Sequence, residues 1–385
     1  MQLTTAPASL RGLDLLAGRG ISLVRGEGCT LFDSEGRSYV DLVSNYGVNV
    51  LGHAHPGVTA AVVAQAATLT SAHQSFDSPV RDAFLAALSA LIPAELSRAC
   101  FLNSGAEAVE VAIKLSRVAT GRTRIVAAKR GYHGRTMGAL SLTADAGYRD
   151  AFMPLLPDIV HIAYDDIEAL SLIDERVAAV VVEPIQGEAG VRVPGPGYLR
   201  AVRERCTAVG ALLVADEVQT GLRTGAMLAS LADGATPDIV CLGKGIANGL
   251  PLAVTLCTEA VGAHMPRGGH GSTFAGSPLV CAAGMATLRE LADPALHAQV
   301  TRSGEAAMER LRALPSALVR QVRGRGLMIG LELRRPAMPA IIELQEQGIL
   351  VLPAGRTVIR LLPPLNIDAA TLNRAVDAIV EVVAG

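Results

Sequence analysis

From residue 52 to 259 the apolar positions fall in short, nearly unbroken runs, not in strict alternation with polar ones. The runs Ala99–Leu102, Arg124–Ala128, Ile159–Ala163, Val177–Glu183, Ala211–Ala215, Asp238–Leu242 and Leu252–Cys257 predict seven buried strands. Stretches with helical spacing, such as Ala106–Ala119 and Gly197–Val209, separate most of them. Unbroken apolar strands alternating with helices indicate an α/β fold whose mostly parallel sheet is covered on both faces. Ligands of such sheets sit beyond the carboxyl ends of the strands, so chemistry is expected there.

The flanks have a different texture. Residues Cys29–Leu42 read as two short strands around the turn Asp33-Ser34-Glu35-Gly36. Beyond Gly276, helices are expected at Pro278–Leu291, Pro294–Leu314 and Asp368–Val383, with strands at Val319–Leu333, Ile349–Leu352 and Val358–Leu361. The expected division is an N-terminal segment, 1–50, belonging to a small domain, a large domain at 51–262, and the rest of the small α/β domain at 263–385.

Composition removes several classes of function. Of 385 residues, 34 are Lys or Arg and 36 Asp or Glu, a net charge of −2 with none of the basic excess of a nucleic-acid binder. Half the residues are hydrophobic, which raises the question of a membrane span. The longest stretch free of Asp, Glu, Lys and Arg, Leu42–Phe76, contains Asn45, His53, His55, Pro56, Gln65 and His73, too polar for hydrocarbon. The opening MQLTTAPASLRGLDLLAG has no basic segment followed by an apolar one, so no signal peptide and a cytoplasmic location are expected. The six cysteines form no C-x-x-C pair and read as reduced, mostly buried thiols. Only three basic residues are lysines: Lys114, Lys129 and Lys244. The bias fits the base composition of a genome, but it also leaves three candidates for amine chemistry, which arginine does not perform.

Four strand ends carry unusual residues. In Asn103-Ser104-Gly105-Ala106-Glu107, Ser104 can cap a helix whose free N–H groups would hold an anion; a plain capped helix is the simpler reading. Asp216 and Glu217 end the run Ala211–Ala215, and a carboxylate buried there needs a cation or a metal. No His or Cys cluster at ligand spacing accompanies them, so no metal is expected. Lys244 follows a strand between Gly243 and Gly245, where its amine is desolvated and suited to Schiff-base chemistry. A Walker loop there fails at Asp238 and a dinucleotide fingerprint at Asn248. The fourth end is Glu183, followed by Gln186 and Glu188. An anion cradle, a carboxylate and a lysine match the phosphate, pyridinium nitrogen and aldehyde of pyridoxal 5'-phosphate.

In order and spacing, NSGAEA, GYHGRT, VEPIQGE, DEVQTG, the glycine-flanked Lys244 and GSTFAGSPL resemble the class III, fold-type-I aminotransferases over nearly the whole chain. Within that class the chain looks most like the branches acting on acetylornithine and on lysine or ornithine attached to the carrier protein LysW. MPRGGHGSTFAGSPL, VRGRGLMIGLEL and VIRLLPPL lean to the carrier-linked branch. The resemblance implies that Lys244 forms the Schiff base and shuttles the proton. Asp216 would keep the ring nitrogen protonated, Gln219 would bond the ring hydroxyl, and Tyr132 and Val218 would flank the ring. Gly105 and Ala106, with Ser104 nearby, would bind the phosphate, together with Thr273, the latter from a partner subunit. Arg135 and Ser272 would contact substrate. Arg360 would grip the α-carboxylate of glutamate, with Glu188 neutralising it when the other substrate is bound; a static salt bridge is the alternative. Also implied are a homodimer with shared sites, glutamate and 2-oxoglutarate as one substrate pair, and a small acidic carrier protein as a possible partner. Members using free ornithine carry a tyrosine in the segment matched by Gly28–Leu31, where Thr30 stands here, which favours a blocked α-amino group. Another class III ω-aminotransferase acting on ornithine or 4-aminobutyrate, glutamate-1-semialdehyde aminomutase, a decarboxylating relative and a non-catalytic cofactor-binding regulator are the rival readings.

Overall fold

The computed structural model describes residues 12, 13 and 15–385; most of the opening segment examined for a leader lies outside them. All seven expected strands form one sheet. Its order is Arg98–Leu102, Ala253–Cys257, Ile239–Leu242, Leu212–Asp216, Val177–Val182, Arg124–Ala128 and Ile159–Ile162. Side chains alternate between the two faces: Ala179 and Val181 join the core under the helix Gly105–Thr120, while Val180 and Val182 join the core under Tyr198–Val209. Both faces are buried, so the strands read as unbroken apolar runs.

One strand departs from the parallel pattern. Ala253–Cys257 runs antiparallel to both of its neighbours. The connection from Leu242 to Ala253 is a short turn through Lys244–Ala247, closed by the left-handed Asn248 and by Gly249 at φ 115°. A parallel crossover needs about a dozen residues or more and usually a helix. This link has neither, so the chain returns beside the strand it has just left.

Two smaller sheets flank this one. Val319–Arg325 and Met328–Leu333, read from the sequence as one strand, form a hairpin that turns at Gly326-Leu327 and joins Val358–Leu361 and Leu352–Ala354. The expected strand at 349–352 also divides. Ile349–Leu350 pairs in parallel with Ser38–Asp41 in the N-terminal sheet, and Leu352–Ala354 pairs with Val358–Leu361. The first and last parts of the chain are thereby joined. Among the described residues no helix is long and apolar enough to cross a membrane.

Candidate active site

The parallel strands bring their carboxyl ends to one edge of the sheet, and the residues singled out at those ends converge there. A cavity of about 290 Å³ is lined by Gly105, Ala106, Tyr132, Arg135, Glu188, Asp216, Val218, Gln219 and Lys244, with His133, Gly134 and Glu183.

The anion cradle begins at Ser104. Its hydroxyl accepts from the Glu107 N–H, and Glu107 Oε2 accepts from the N–H groups of Asn103 and Ser104, a reciprocal cap. That leaves the N–H groups of Gly105 and Ala106 in the first turn without acceptors among the described residues. Residue 105 must be glycine, because a Cβ there would lie 2.6 Å from Val218 Cγ1. Gly134 is equally tight, its Cβ position 2.6 Å from that of Ala106.

Asp216 ends its strand fully enclosed. Its Oδ2 is 2.7 Å from His133 Nδ1, and its Oδ1 accepts from the Val218 N–H at 3.1 Å. Burial works against a charged His133, but the bond to Asp216 and the charges of Asp216 and Glu183 outweigh it and raise the imidazole above its ordinary value. Sequence reasoning gave His133 no role, although it lies within the quoted GYHGRT run.

Glu183 was noted only as a strand end. Its carboxylate accepts from the N–H groups of Tyr132 at 2.9 Å and Gly187 at 3.2 Å, fixing the loops on either side of the cavity. Burial pushes its pKa up to about 7; His133 opposes this, and the charge of Asp216 adds to it. The folded protein therefore holds a proton that the unfolded chain releases as pH rises from 4.5 toward 7. The stability contributed here is complete below about 4.5 and is lost on the way to 7, by up to about 1.4 kcal/mol per pH unit. Thermal midpoints measured across that window are expected to fall more steeply for the wild type than for Glu183→Gln. Identical slopes would contradict the raised pKa.

Lys244 stands half-buried at the start of the short turn after Ile239–Leu242, in left-handed backbone at φ 44°. A side chain in that conformation costs about 1–2 kcal/mol, which the close fit around it sustains: a Cβ at Gly245 would lie 2.3 Å from Val50, and Asn248 Oδ1 accepts from the Leu51 N–H. The Lys244 amine has no hydrogen-bond partner among the described residues. Burial lowers its pKa, with Arg360 adding to the effect and Glu188, Asp216 and Glu183 opposing it.

Arg360 is wholly buried on the strand Val358–Leu361. Its Nη1 and Nη2 donate to Glu188 Oε1 and Oε2 at 2.7 and 3.1 Å, and Nη1 also donates to Gln219 Oε1 at 3.1 Å. Burial disfavours the Glu188 carboxylate, but Arg360 outweighs it and holds the pKa below the ordinary range. Gln219, expected to face a ring hydroxyl, here bridges this pair, and its amide fills the space a Cβ at Gly187 would take. Arg135 is exposed at the rim, its guanidinium carbon 4.9 Å from the centre of the Tyr148 ring. Tyr148 in turn meets Tyr132 edge-on at 5.7 Å.

Four expected residues do not line this cavity within the chain: Ser104, which caps the cradle, Arg360, which meets it through Glu188 and Gln219, and Ser272 and Thr273. Ser272 accepts from Asn103 Nδ2 at 2.8 Å, next to the cradle, and Thr273 is exposed. Thr30 lies in a strand pairing with Glu27 and Val40 and does not line the cavity. A tyrosine does approach the site: Tyr46, in a left-handed run from Ser44 to Gly47, holds its ring 5.7 Å from the Arg360 guanidinium carbon. Among the described residues no three His, Cys, Asp or Glu converge as metal ligands.

This geometry defines an amine-handling site with an anion cradle, and the comparisons agree. The family model "Aminotransferase class-III" matches residues 18–383, and the chain belongs to that family. The chain is 45% identical over 347 residues to acetylornithine aminotransferase of Mycobacterium tuberculosis, covering 89% of this chain and 86% of that one. It is 42% identical to the [LysW]-aminoadipate semialdehyde transaminase of Deinococcus radiodurans, covering 89% and 81%. Among solved structures, ornithine aminotransferase from Toxoplasma gondii ME49 superposes with TM-score 0.92 at 33% identity, covering 96% and 92%. Acetylornithine aminotransferase from Elizabethkingia anophelis superposes at 0.87 with 34% identity, covering 97% and 96%. The chain is a transaminase of the pyridoxal 5'-phosphate-dependent class, with the expected fold-type-I architecture. Its site fits the cofactor: two unengaged N–H groups behind a glycine that admits no Cβ, a carboxylate pinned by His133, and an amine without a partner.

Proposed function

We propose that this protein transfers the terminal amino group between ornithine or lysine with a blocked α-nitrogen, either acetylated or joined to a carrier protein, and 2-oxoglutarate, as a cytoplasmic step of amino-acid biosynthesis. The carrying observation is the Arg360–Glu188 pair, whose Glu188 lines the same cavity as Lys244 while Arg360 lies buried behind it. One pocket must take glutamate, with its α-carboxylate, and then a bare CH₂–NH₂ end. A permanent free arginine would serve only the first. An arginine that releases Glu188 to bind the substrate carboxylate, and takes it back afterwards, serves both. The relatives at 45% and 42% identity support the substrate class.

Bound pyridoxal 5'-phosphate supplies an aldehyde that combines with amines and a ring that accepts electrons. The N–H groups of Gly105 and Ala106 would bind its phosphate, with Ser104 shaping the turn. Asp216, oriented by His133, would hold a proton on the ring nitrogen. Tyr132 and Val218 would hold the ring, and Gln219 would serve its hydroxyl. Lys244 Nζ takes the proton from the substrate carbon and returns it. Arg135 binds the second carboxylate of glutamate. Thr273 and Ser272 reach the site of a second copy in a homodimer, where the exposed Phe76 and Phe274 would be covered.

Glu188→Ala is expected to leave the glutamate half-reaction within about twofold and to slow the other by about tenfold or more, since Arg360 then repels the approaching amine. Equal losses in both, followed by stopped-flow absorbance, would exclude the exchange. Free ornithine as substrate has one observation in its favour, the Tyr46 phenol beside Arg360. Rates on Nα-acetylornithine, carrier-linked lysine and free ornithine separate the readings. Blocked substrates are expected to be preferred by about tenfold or more, and equal or better use of free ornithine would overturn the proposal.

A further inference from the structure

Arg81 is buried on the helix Pro79–Ser89, and its guanidinium meets no carboxylate among the described residues. Every hydrogen bond it donates goes to a backbone carbonyl. Nε donates to Gly276 at 3.0 Å, Nη1 to Phe76 at 2.9 Å and Nη2 to Ala72 at 3.1 Å. Burying a cation without a counter-ion is costly, and a leucine or methionine would pack this helix without that cost. What the guanidinium adds is its rigid fork, which clasps two loops distant in sequence.

The clasped loops run through 72–76 and 274–276. Residues 73–77 are exposed, as are Thr273 and Phe274. Because the Phe76 and Gly276 carbonyls share one guanidinium, the two exposed phenylalanines stand on neighbouring loops. Further bonds lace these loops together. The Leu279 N–H donates to the Thr70 carbonyl at 3.3 Å, and Ser277 Oγ donates to the Phe274 carbonyl at 2.8 Å and lies 3.3 Å from Ser71 Oγ. Gly276 turns in left-handed backbone at φ 64°, where a Cβ would lie 2.9 Å from Phe101 Cγ. At the other end of the turn, Ser272 is tied to Asn103. Thr273 is therefore held between two fixed points. Neither it, nor Phe76, Phe274 or Arg81 lines the cavity around Lys244 in the same chain. A polar tip fixed from both sides and flanked by exposed aromatic rings is preorganised for another surface.

We propose that Arg81 is a positioning residue that acts across the dimer: by clasping the loops at 72–76 and 274–276 it sets Thr273 for the phosphate of the cofactor held by the other subunit. This rests on the shared-site reading given above.

The test reads the occupancy of Lys244, as the pyridoxyl mass fixed by borohydride while the dimer is titrated with pyridoxal 5'-phosphate. Arg81→Met homodimers are expected to need about tenfold more cofactor for half-occupancy, with kcat at saturation within about twofold of wild type. Arg81→Lys keeps the charge but not the three-way fork; it should weaken the site by about three- to fivefold, and it serves if the Met variant does not fold. Each variant is then co-expressed with Lys244→Ala under a second tag, and the mixed dimer is isolated. Its sole Lys244 faces a partner with an intact Arg81, so half-occupancy should return to the wild-type concentration. A value unchanged from the Arg81 homodimer puts the defect in the subunit's own site and overturns the proposal, as does wild-type affinity in both Arg81 homodimers. Thr273→Val paired with Lys244→Ala should be restored in the same way. Absence of restoration in that pair overturns the shared-site reading, and the proposal with it.

Discussion

Lys244→Ala is expected to fold, to retain cofactor without covalent attachment, and to lose about four orders of magnitude in turnover. The loss is large because one amine has two duties, attachment to the cofactor and proton transfer at the substrate carbon. Neither Lys114 nor Lys129 can replace it. Lys114 lies in the helix Gly105–Thr120 with its amine on the Gly269 carbonyl, and Lys129 does not line the cavity that holds Lys244. The fold should survive because Asn248 and Gly245 hold the turn through their own contacts. Alanine also keeps the left-handed backbone strain at 244 while removing only the stem and amine. Single-turnover rates with glutamate check this, and turnover within about tenfold of wild type would remove Lys244 from the mechanism.

Asp216→Asn should be the next most damaging change. The side chain keeps its shape, and an oxygen remains to accept from Val218, so the protein should fold. What is lost is the negative charge between His133 and the ring nitrogen. Breaking a buried charge pair costs about 3–5 kcal/mol. If that falls on the transition state, the rate drops by about two to four orders of magnitude. The loss should appear in kcat more than in KM, because the charge matters most when the ring takes up electrons. Near-normal kcat in the variant would refute the role.

The strands of the main sheet were legible because burial on both faces writes them as unbroken apolar runs. The direction of Ala253–Cys257 was not, since it depends on the length and turn chemistry of the link through Lys244 and not on the strand itself. The split of 349–352 was equally hidden: two short segments separated by Val351 share one apolar pattern, and only their partners distinguish them. Lys244, Asp216 and Ser104 announced themselves as polar residues at apolar strand ends. His133 and Tyr46 did not, because each lies in an irregular loop and acquires meaning only from a neighbour distant in the chain, Asp216 or Arg360. Glu183 showed the same signature as Asp216, and its place beside Tyr132 and Gly187 emerged only with the fold.

The most direct test is chemical. Holoenzyme reduced with sodium borohydride, digested and examined by mass spectrometry should carry the pyridoxyl mass on the peptide containing residue 244, at close to one per chain. The same mass on the peptides of Lys114 or Lys129, or none on any lysine of cofactor-saturated protein, would contradict the account.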